Sequence, residues 1–237
     1  DINIIHDALN TELIHALENK GDDAIMIMRI LVDAGATVDT SGEQVFRLAN
    51  NRFDFEKVTE KIRFLLEQGA DAEWVGDCGE TPLMAIAKDG KQQHSVAIIC
   101  ELVKHGADPN WKCHEEMTAL MIALSANHHD IVEIIEALLE VEQDINAEDE
   151  GGYTALMYAT CQIHKHSKVI VDKLIQAGAD VNKQNGIGKT ALHFVAGCAD
   201  ESSANEIGQM LIDNGANIDK QDNNGCTALM ISVQMPR

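Results

Sequence analysis

The chain has 237 residues, and 18 Lys+Arg against 39 Asp+Glu give it a formal net charge of -21. A field of that sign repels phosphate backbones and anionic headgroups, which excludes nucleic-acid and membrane-surface binding as primary roles and favours encounter with cationic surfaces. Six cysteines without a CxxC pair, no Asn-x-Ser/Thr sequon, no apolar run near the ~18 residues of a membrane span and no signal-peptide pattern predict a soluble module with free thiols in a reducing cytoplasm or nucleus.

In chain order, Asp1-Ile2-Asn3 stands eight residues before Thr11, as Asn110 stands before Thr118, and is expected to be the tail of an earlier repeat. Gly-Ala followed by Asp, Asn or Thr then recurs at Gly35, Gly69, Gly106, Gly178 and Gly215. A helix-starting Thr recurs at Thr81, Thr118, Thr154, Thr190 and Thr227, in steps of 37, 36, 36 and 37 residues. Self-similarity at this period signals a solenoid of helical repeats in which burial proceeds from neighbour to neighbour.

One unit shows the logic. Thr81 caps a short inner helix with its hydroxyl, and Pro82 takes the first helical position, where a missing N–H costs nothing. Ile98, Ile99, Leu102 and Val103 form the i, i+1, i+4, i+5 stripe of a second helix, which Gly106 ends in the left-handed cap conformation. The stripe recurs at Ile134, Ile135, Leu138, Leu139 and at Ile170, Val171, Leu174, Ile175. The chain stops at Ile231-Ser232-Val233, one helix into a repeat, so the parent array is expected to be longer.

These motifs resemble the ankyrin signature T-P-L-H-x-A with its 33-residue period. TPLM at Thr81, TALM at Thr118, Thr154 and Thr227 and TALH at Thr190 match it in register, as do GADPN (106–110) and GADVN (178–182). The resemblance implies an all-α ankyrin-repeat solenoid of helix-turn-helix units joined by β-hairpin-like loops. It covers a single domain over 1–237, with repeats near 6–40, 41–75, 76–112, 113–148, 149–184 and 185–221 and a partial one at 222–237. Departures are expected to matter. The inter-helix turns at 88–95, 127–131, 162–168 and 198–205 are enlarged. Gly42-Glu43-Gln44-Val45-Phe46 replaces GxTPL, predicting a bend or weak point near Ser41 to Arg52, and residues 142–146 lack the Gly-Ala of a normal helix end.

No chemistry emerges from the remaining motifs. Gly186-Ile187-Gly188-Lys189-Thr190 lacks the first glycine of a phosphate loop, and Met230 stands where a calcium loop from Asp219 needs Glu. Cys161, His164 and His166, and likewise His128, His129 and Asp130, make no four-ligand metal set. There is no nucleophile with a positioned base. The expectation is a non-enzyme without metal or cofactor.

What remains is a binding surface. Ankyrin arrays hold protein partners on hairpin tips and inner helices, so the resemblance implies a concave surface for a basic, extended peptide or protein segment, on a monomeric domain. The tips at 75–80, 112–117 and 148–153 carry Asp77, Glu80, Glu115, Glu116, Met117, Glu148, Asp149, Glu150 and Tyr153, against one Lys112. Trp74 and Trp111 occupy equivalent positions beside two of these tips, and both partner anchoring and hairpin packing suit them. Tyr153, Tyr158 and Phe194 resemble the methyl-lysine cage of certain histone-lysine methyltransferase ankyrin units, with Cys161 and Ile187 where carboxylates would be expected. The alternatives are therefore a methyl-lysine or histone-tail reader, and an architectural or autoregulatory segment of a multidomain sensor, channel or kinase. Oligoadenylate sensing would need cations that this charge does not supply.

Overall fold

Threonine hydroxyls start the inner helices as their spacing predicts. In the computed structural model, Thr81, Thr118, Thr154 and Thr227 each accept a hydrogen bond at 3.4 Å from the backbone N–H three residues on, that of Met84, Met121, Met157 and Met230. The structure describes residues 2–19, 21, 23–50, 58–89, 94–126, 131–141, 144–161, 166–198 and 201–234. The described residues are helical without a β-strand. At Thr190 the cap is completed by His193, whose Nδ1 accepts the Thr190 N–H at 3.1 Å. Nδ1 is thus the acceptor nitrogen, and Nε2 lies 3.2 Å from the Cys226 carbonyl, one unit further on.

The outer helices end on glycine for a reason of backbone geometry. Gly35, Gly69, Gly106, Gly178 and Gly215 have φ between 87 and 102°. The alanine after each donates its N–H to a carbonyl five residues back, as Ala107 does to Leu102 at 3.0 Å, so the last turn is closed without a side chain. The helix without Gly-Ala ends at Leu139, and residues 142–143 lie outside the described set. So do 90–93, 127–130, 162–165 and 199–200, which take in half of the positions in the turns expected to be enlarged and the His128-His129-Asp130 cluster.

The chain forms two compact units, 1–108 and 109–237. The first contains α1 (Ile2–Glu18), α2 (Ala24–Asp33), α3 (Glu43–Ala49), α4 (Val58–Glu67), α5 (Pro82–Asp89) and α6 (Ser95–Lys104). α1 is continuously helical from residue 2 to residue 18, so Ile2 and Asn3, expected as the tail of an earlier repeat, stand within a helix. α3 begins at Gly42, where the Thr-Pro start is missing. Gly42 has φ 88°, and a Cβ there would stand 2.2 Å from the Asp71 carbonyl oxygen and 2.7 Å from the Trp74 Cβ. The irregular second repeat therefore closes by direct approach of backbone to hairpin. Below it Ile62, Phe64, Leu65, Leu83, Met84, Ile86, Ile98, Ile99 and Leu102 form the core. Half-buried Glu101 receives the Arg63 Nε–H at 3.0 Å. Burial works to raise its pKa, but this bond and the charges of Arg63, Lys104 and His105 prevail and hold it below the usual carboxylate range.

The second unit contains α7 (Ala119–Ala126), α8 (Ile131–Leu139), α9 (Ala155–Cys161), α10 (Ser167–Gln176), α11 (Ala191–Ala196), α12 (Glu201–Asp213) and α13 (Ala228–Gln234). α7 packs on α9, α9 on α11 and α11 on α13, while α8, α10 and α12 form a parallel outer row. Side chains link successive units at the helix–tip junctions. The Oδ1 atoms of Asn110, Asn146 and Asn182 accept the N–H of Asp144, Asp180 and Asn217 at 2.6, 2.7 and 2.8 Å. Asn146 and Asn182 also donate Nδ2–H to the carbonyls of Gly178 and Gly215, at 3.1 and 2.8 Å.

Replacing Gly42 by Ala is expected to destabilise the first unit by roughly 2–4 kcal/mol, from left-handed strain plus backbone collision. Urea denaturation measures this, and a wild-type midpoint would contradict the geometry.

Candidate partner-binding surface

The hairpin tips are built to one register. In each, the N–H of residue n bonds the carbonyl of n+4, and the N–H of n+3 bonds the carbonyl of n, for n = 76, 113, 149, 185 and 222, all between 2.8 and 3.1 Å. Residue n+3 has positive φ: Gly79, Gly152, Gly188 and Gly225 lie between 76 and 78°, and Glu116 at 58°. In the second unit adjacent tips are stitched together, Glu150 N–H to Glu115 O at 3.3 Å, Gly186 to Gly151 at 2.8 Å and Asn223 to Ile187 at 3.0 Å.

A carboxylate or amide at position n clamps the last three tips. Asp149 Oδ1 accepts the N–H of Gly151 and Tyr153, both at 2.8 Å. Asn185 Oδ1 takes those of Ile187 and Lys189 at 3.2 and 2.9 Å, and Asp222 Oδ1 those of Asn224 and Cys226 at 2.9 and 3.0 Å. The Cys226 N–H is the main reason the Asp222 pKa lies below its ordinary value. Sequence reasoning counted Asp149 among the tip carboxylates and missed this role, although Asp149, Asn185 and Asp222 recur at the repeat spacing.

The other oxygen of Asp149 is engaged as well, since Tyr158 Oη donates to Oδ2 at 2.6 Å. Burial, then this bond and the Asp149 charge, push the Tyr158 phenol far above its ordinary pKa. Tyr153 sits between two rings, 5.8 Å from Tyr158 and 5.5 Å from Phe194 by centroid, tilted by 42 and 35°. Lys189 Nζ stands 5.9 Å over the Phe194 ring. Desolvation raises the Cys161 thiol to about 11 against the opposing Lys189 charge, so it stays protonated at neutral pH.

Glu115 and Glu116 on one tip and Glu150 on the next are exposed, and Trp111, 37% exposed, lies just before the first of these tips. Glu116 lies 3.3 Å from Lys112 Nζ, which also donates to the Glu148 carbonyl at 2.7 Å. The Glu148 carboxylate is paired with Lys183. Met117 is buried at 8% exposure, so its side chain packs inward rather than lining a surface. In the first unit Asp77 is exposed, Glu80 pairs with Lys88 at 2.7 Å, and half-buried Trp74 packs on Phe46 with centroids 4.9 Å apart. Beside it, Glu73 Oε1 accepts the Asp108 N–H at 2.5 Å, in the place that asparagine holds in later repeats. Its pKa is raised, first by burial; the Asp108 N–H opposes this and the charges of Asp108 and Asp71 reinforce it.

Thr-started and Gly-ended helix pairs, joined by tips that bond to their neighbours, define an all-α repeat scaffold. No cluster of metal-ligating side chains occurs among the described residues, and no helix among them is long and apolar enough to cross a membrane. The family model for ankyrin repeats in three copies matches residues 48–135, 91–185 and 161–237, and the chain belongs to the ankyrin-repeat family. The protein called Ankyrin repeat, SAM and basic leucine zipper domain-containing protein 1 is similar in several mammals. The Dasypus novemcinctus sequence is 31% identical over 113 residues, covering 48% of this chain and 24% of its own length. That of Atelerix albiventris is 34% identical over 111 residues, with coverages of 46% and 22%. The match thus takes in under a quarter of either relative. The crystal structure of EF0377, an ankyrin repeat protein, superposes with a TM-score of 0.69 at 24% identity, over 83% of this chain and 92% of that one, and shares the fold.

Two outcomes follow from the geometry. Asn185 Nδ2 is buried without a partner, whereas the equivalent Asp149 oxygen binds the hydroxyl of Tyr158; Phe194 stands at the Tyr158 position. Phe194→Tyr is expected to supply the missing acceptor and stabilise the second unit by about 0.5–1 kcal/mol in urea denaturation; destabilisation would refute this register. A carboxyl whose pKa rises on folding binds protons more readily in the folded state, so Glu73 favours folding less at neutral pH than near its titration range. Glu73→Gln is therefore expected to raise the urea midpoint at pH 7.5, with the gain narrowing toward pH 5.

Proposed function

We propose that this chain is a non-catalytic protein-interaction scaffold whose acidic tips take a basic, extended segment of a protein partner. Ankyrin repeats generally mediate protein–protein interaction, and this chain is built of them. The observation that carries the finer reading is the grouping of Glu115, Glu116 and Glu150. These three exposed carboxylates lie on two tips tied by a backbone bond, while the neighbouring Glu148 is matched internally by Lys183. Exposed Glu115 and Glu150 would pair with Lys or Arg of the partner, and Trp111 and the half-buried Tyr153 would supply apolar contact. The methyl-lysine alternative draws on Tyr153, Tyr158 and Phe194. The two contacts that Tyr153 makes with its flanking rings, and the Lys189 ammonium over Phe194, weigh against it.

The test uses a synthetic ten-residue Lys/Arg peptide and fluorescence polarisation at 50 and 300 mM salt. Charge reversal as Glu115→Lys with Glu116→Lys is expected to weaken binding by tenfold or more and to flatten its salt dependence. Reversal of the exposed Asp33 and Asp219 changes the net charge equally and serves as the control. Equal losses in the two variants would reduce the effect to bulk charge and sink the site.

A further inference from the structure

One junction of the first unit carries a carboxyl where the second unit carries amides. Glu73 stands three residues before its tip, as Asn146 and Asn182 do. The three share one local turn, in which the N–H of each bonds the Oδ1 of the aspartate two residues back, at 2.8, 3.0 and 2.8 Å. They also share the first bond across the junction: Glu73 Oε1 accepts the Asp108 N–H, as the Asn146 and Asn182 Oδ1 atoms accept those of Asp180 and Asn217. The amides then make a second bond, from Nδ2–H to the carbonyls of Gly178 and Gly215, two residues before those donors. Gly106 holds that place before Asp108, with φ 99° against 93 and 87°. An ionised carboxylate has no hydrogen to offer its carbonyl, whereas a protonated one is an acceptor and a donor in the same plane, as a carboxamide is.

We infer that the junction between the second and third repeats is a proton-operated clasp: protonated Glu73 donates its O–H to the Gly106 carbonyl, and ionised Glu73 leaves that bond unmade. The charges around the carboxyl favour uptake of the proton. Asp108, after α6, and Asp71, on the same hairpin, are both negative. The cations of the surrounding elements are engaged elsewhere: Arg63, Lys104 and His105 at Glu101, Arg47 at Glu18 and Lys88 at Glu80. Glu43, at the start of α3, is exposed and negative. Burial is the first cause of the raised Glu73 pKa; the Asp108 N–H opposes it and the charges of Asp108 and Asp71 add to it. A carboxyl of this kind takes up a proton more readily folded than unfolded. Its contribution is full below its unfolded pKa and is lost as pH rises through the folded one, opposite in sign to that of Glu101. Acidification therefore tightens the hold of the hairpin that carries Trp74 on the end of α6.

NMR of the uniformly labelled whole chain tests the clasp, because a hydrogen bond to a carbonyl oxygen moves its carbon downfield. The Gly106 carbonyl shift, read through the Ala107 N–H, is expected to move downfield between pH 7.5 and 4.5, in step with the Glu73 side-chain carboxyl carbon. In Glu73→Gln, whose amide donates at every pH, it is expected to stay at the acid position throughout. A Gly106 shift that follows pH equally in Glu73→Gln would put the proton on Asp71 or Asp108. A shift that stays still in the wild type while Glu73 titrates would show that the bond is not made; either result overturns the proposal.

Discussion

An amide side chain bridging each helix–tip junction to the next is the constraint that the second unit depends on. A repeat of this size buries too little surface to fold alone, so its stability lies in the contact with its neighbour. Apolar packing supplies most of that energy without fixing register, because apolar contact has no direction. Asn110, Asn146 and Asn182 supply the direction. Each accepts one backbone N–H of the following unit, and the last two also donate to the carbonyl of its left-handed glycine. The tips are thereby held at a spacing at which their own backbones bond, and Glu115 and Glu150 come together as a result.

The aromatic grouping is a second product of this register. Tyr153 precedes one inner helix, Tyr158 lies within it and Phe194 lies in the next, so only stacked units at fixed offset bring the three rings into contact. Asp149 joins the grouping to the tip, holding two backbone N–H groups with one oxygen and the Tyr158 hydroxyl with the other. Part of the formal acidity of this region is therefore structural. A count of carboxylates overstates what faces a partner, because Asp149, Glu148 and Glu80 have internal work to do.

The helix starts, the glycine ends and the family were legible from the sequence because each rests on local chemistry: a hydroxyl before a helix, or a residue without Cβ where φ must be positive. The packing of Trp74 was not, since its neighbour Phe46 comes from the degenerate repeat, where the pattern that aligns units is lost. Met117 belongs to the tip at 112–117, yet position n+4 bonds back across the tip and the Met117 side chain is buried, which its place in the sequence does not show. Nor does the sequence show that Lys61 is buried and donates to the carbonyls of Leu17 and Asn19, because that contact joins residues more than forty positions apart.

Glu116 has a consequence of a different kind. Four of the five tips place glycine at n+3, and Glu116 alone among the described non-glycine residues has positive φ. An L-residue held in that conformation costs on the order of 1 kcal/mol relative to glycine. The tip that carries it is thus less stable than its own backbone design allows, in exchange for a side chain where the other tips have none. Such a position separates two selective pressures that usually coincide: glycine would strengthen the fold and erase a carboxylate, so folding stability and surface chemistry pull this one residue in opposite directions.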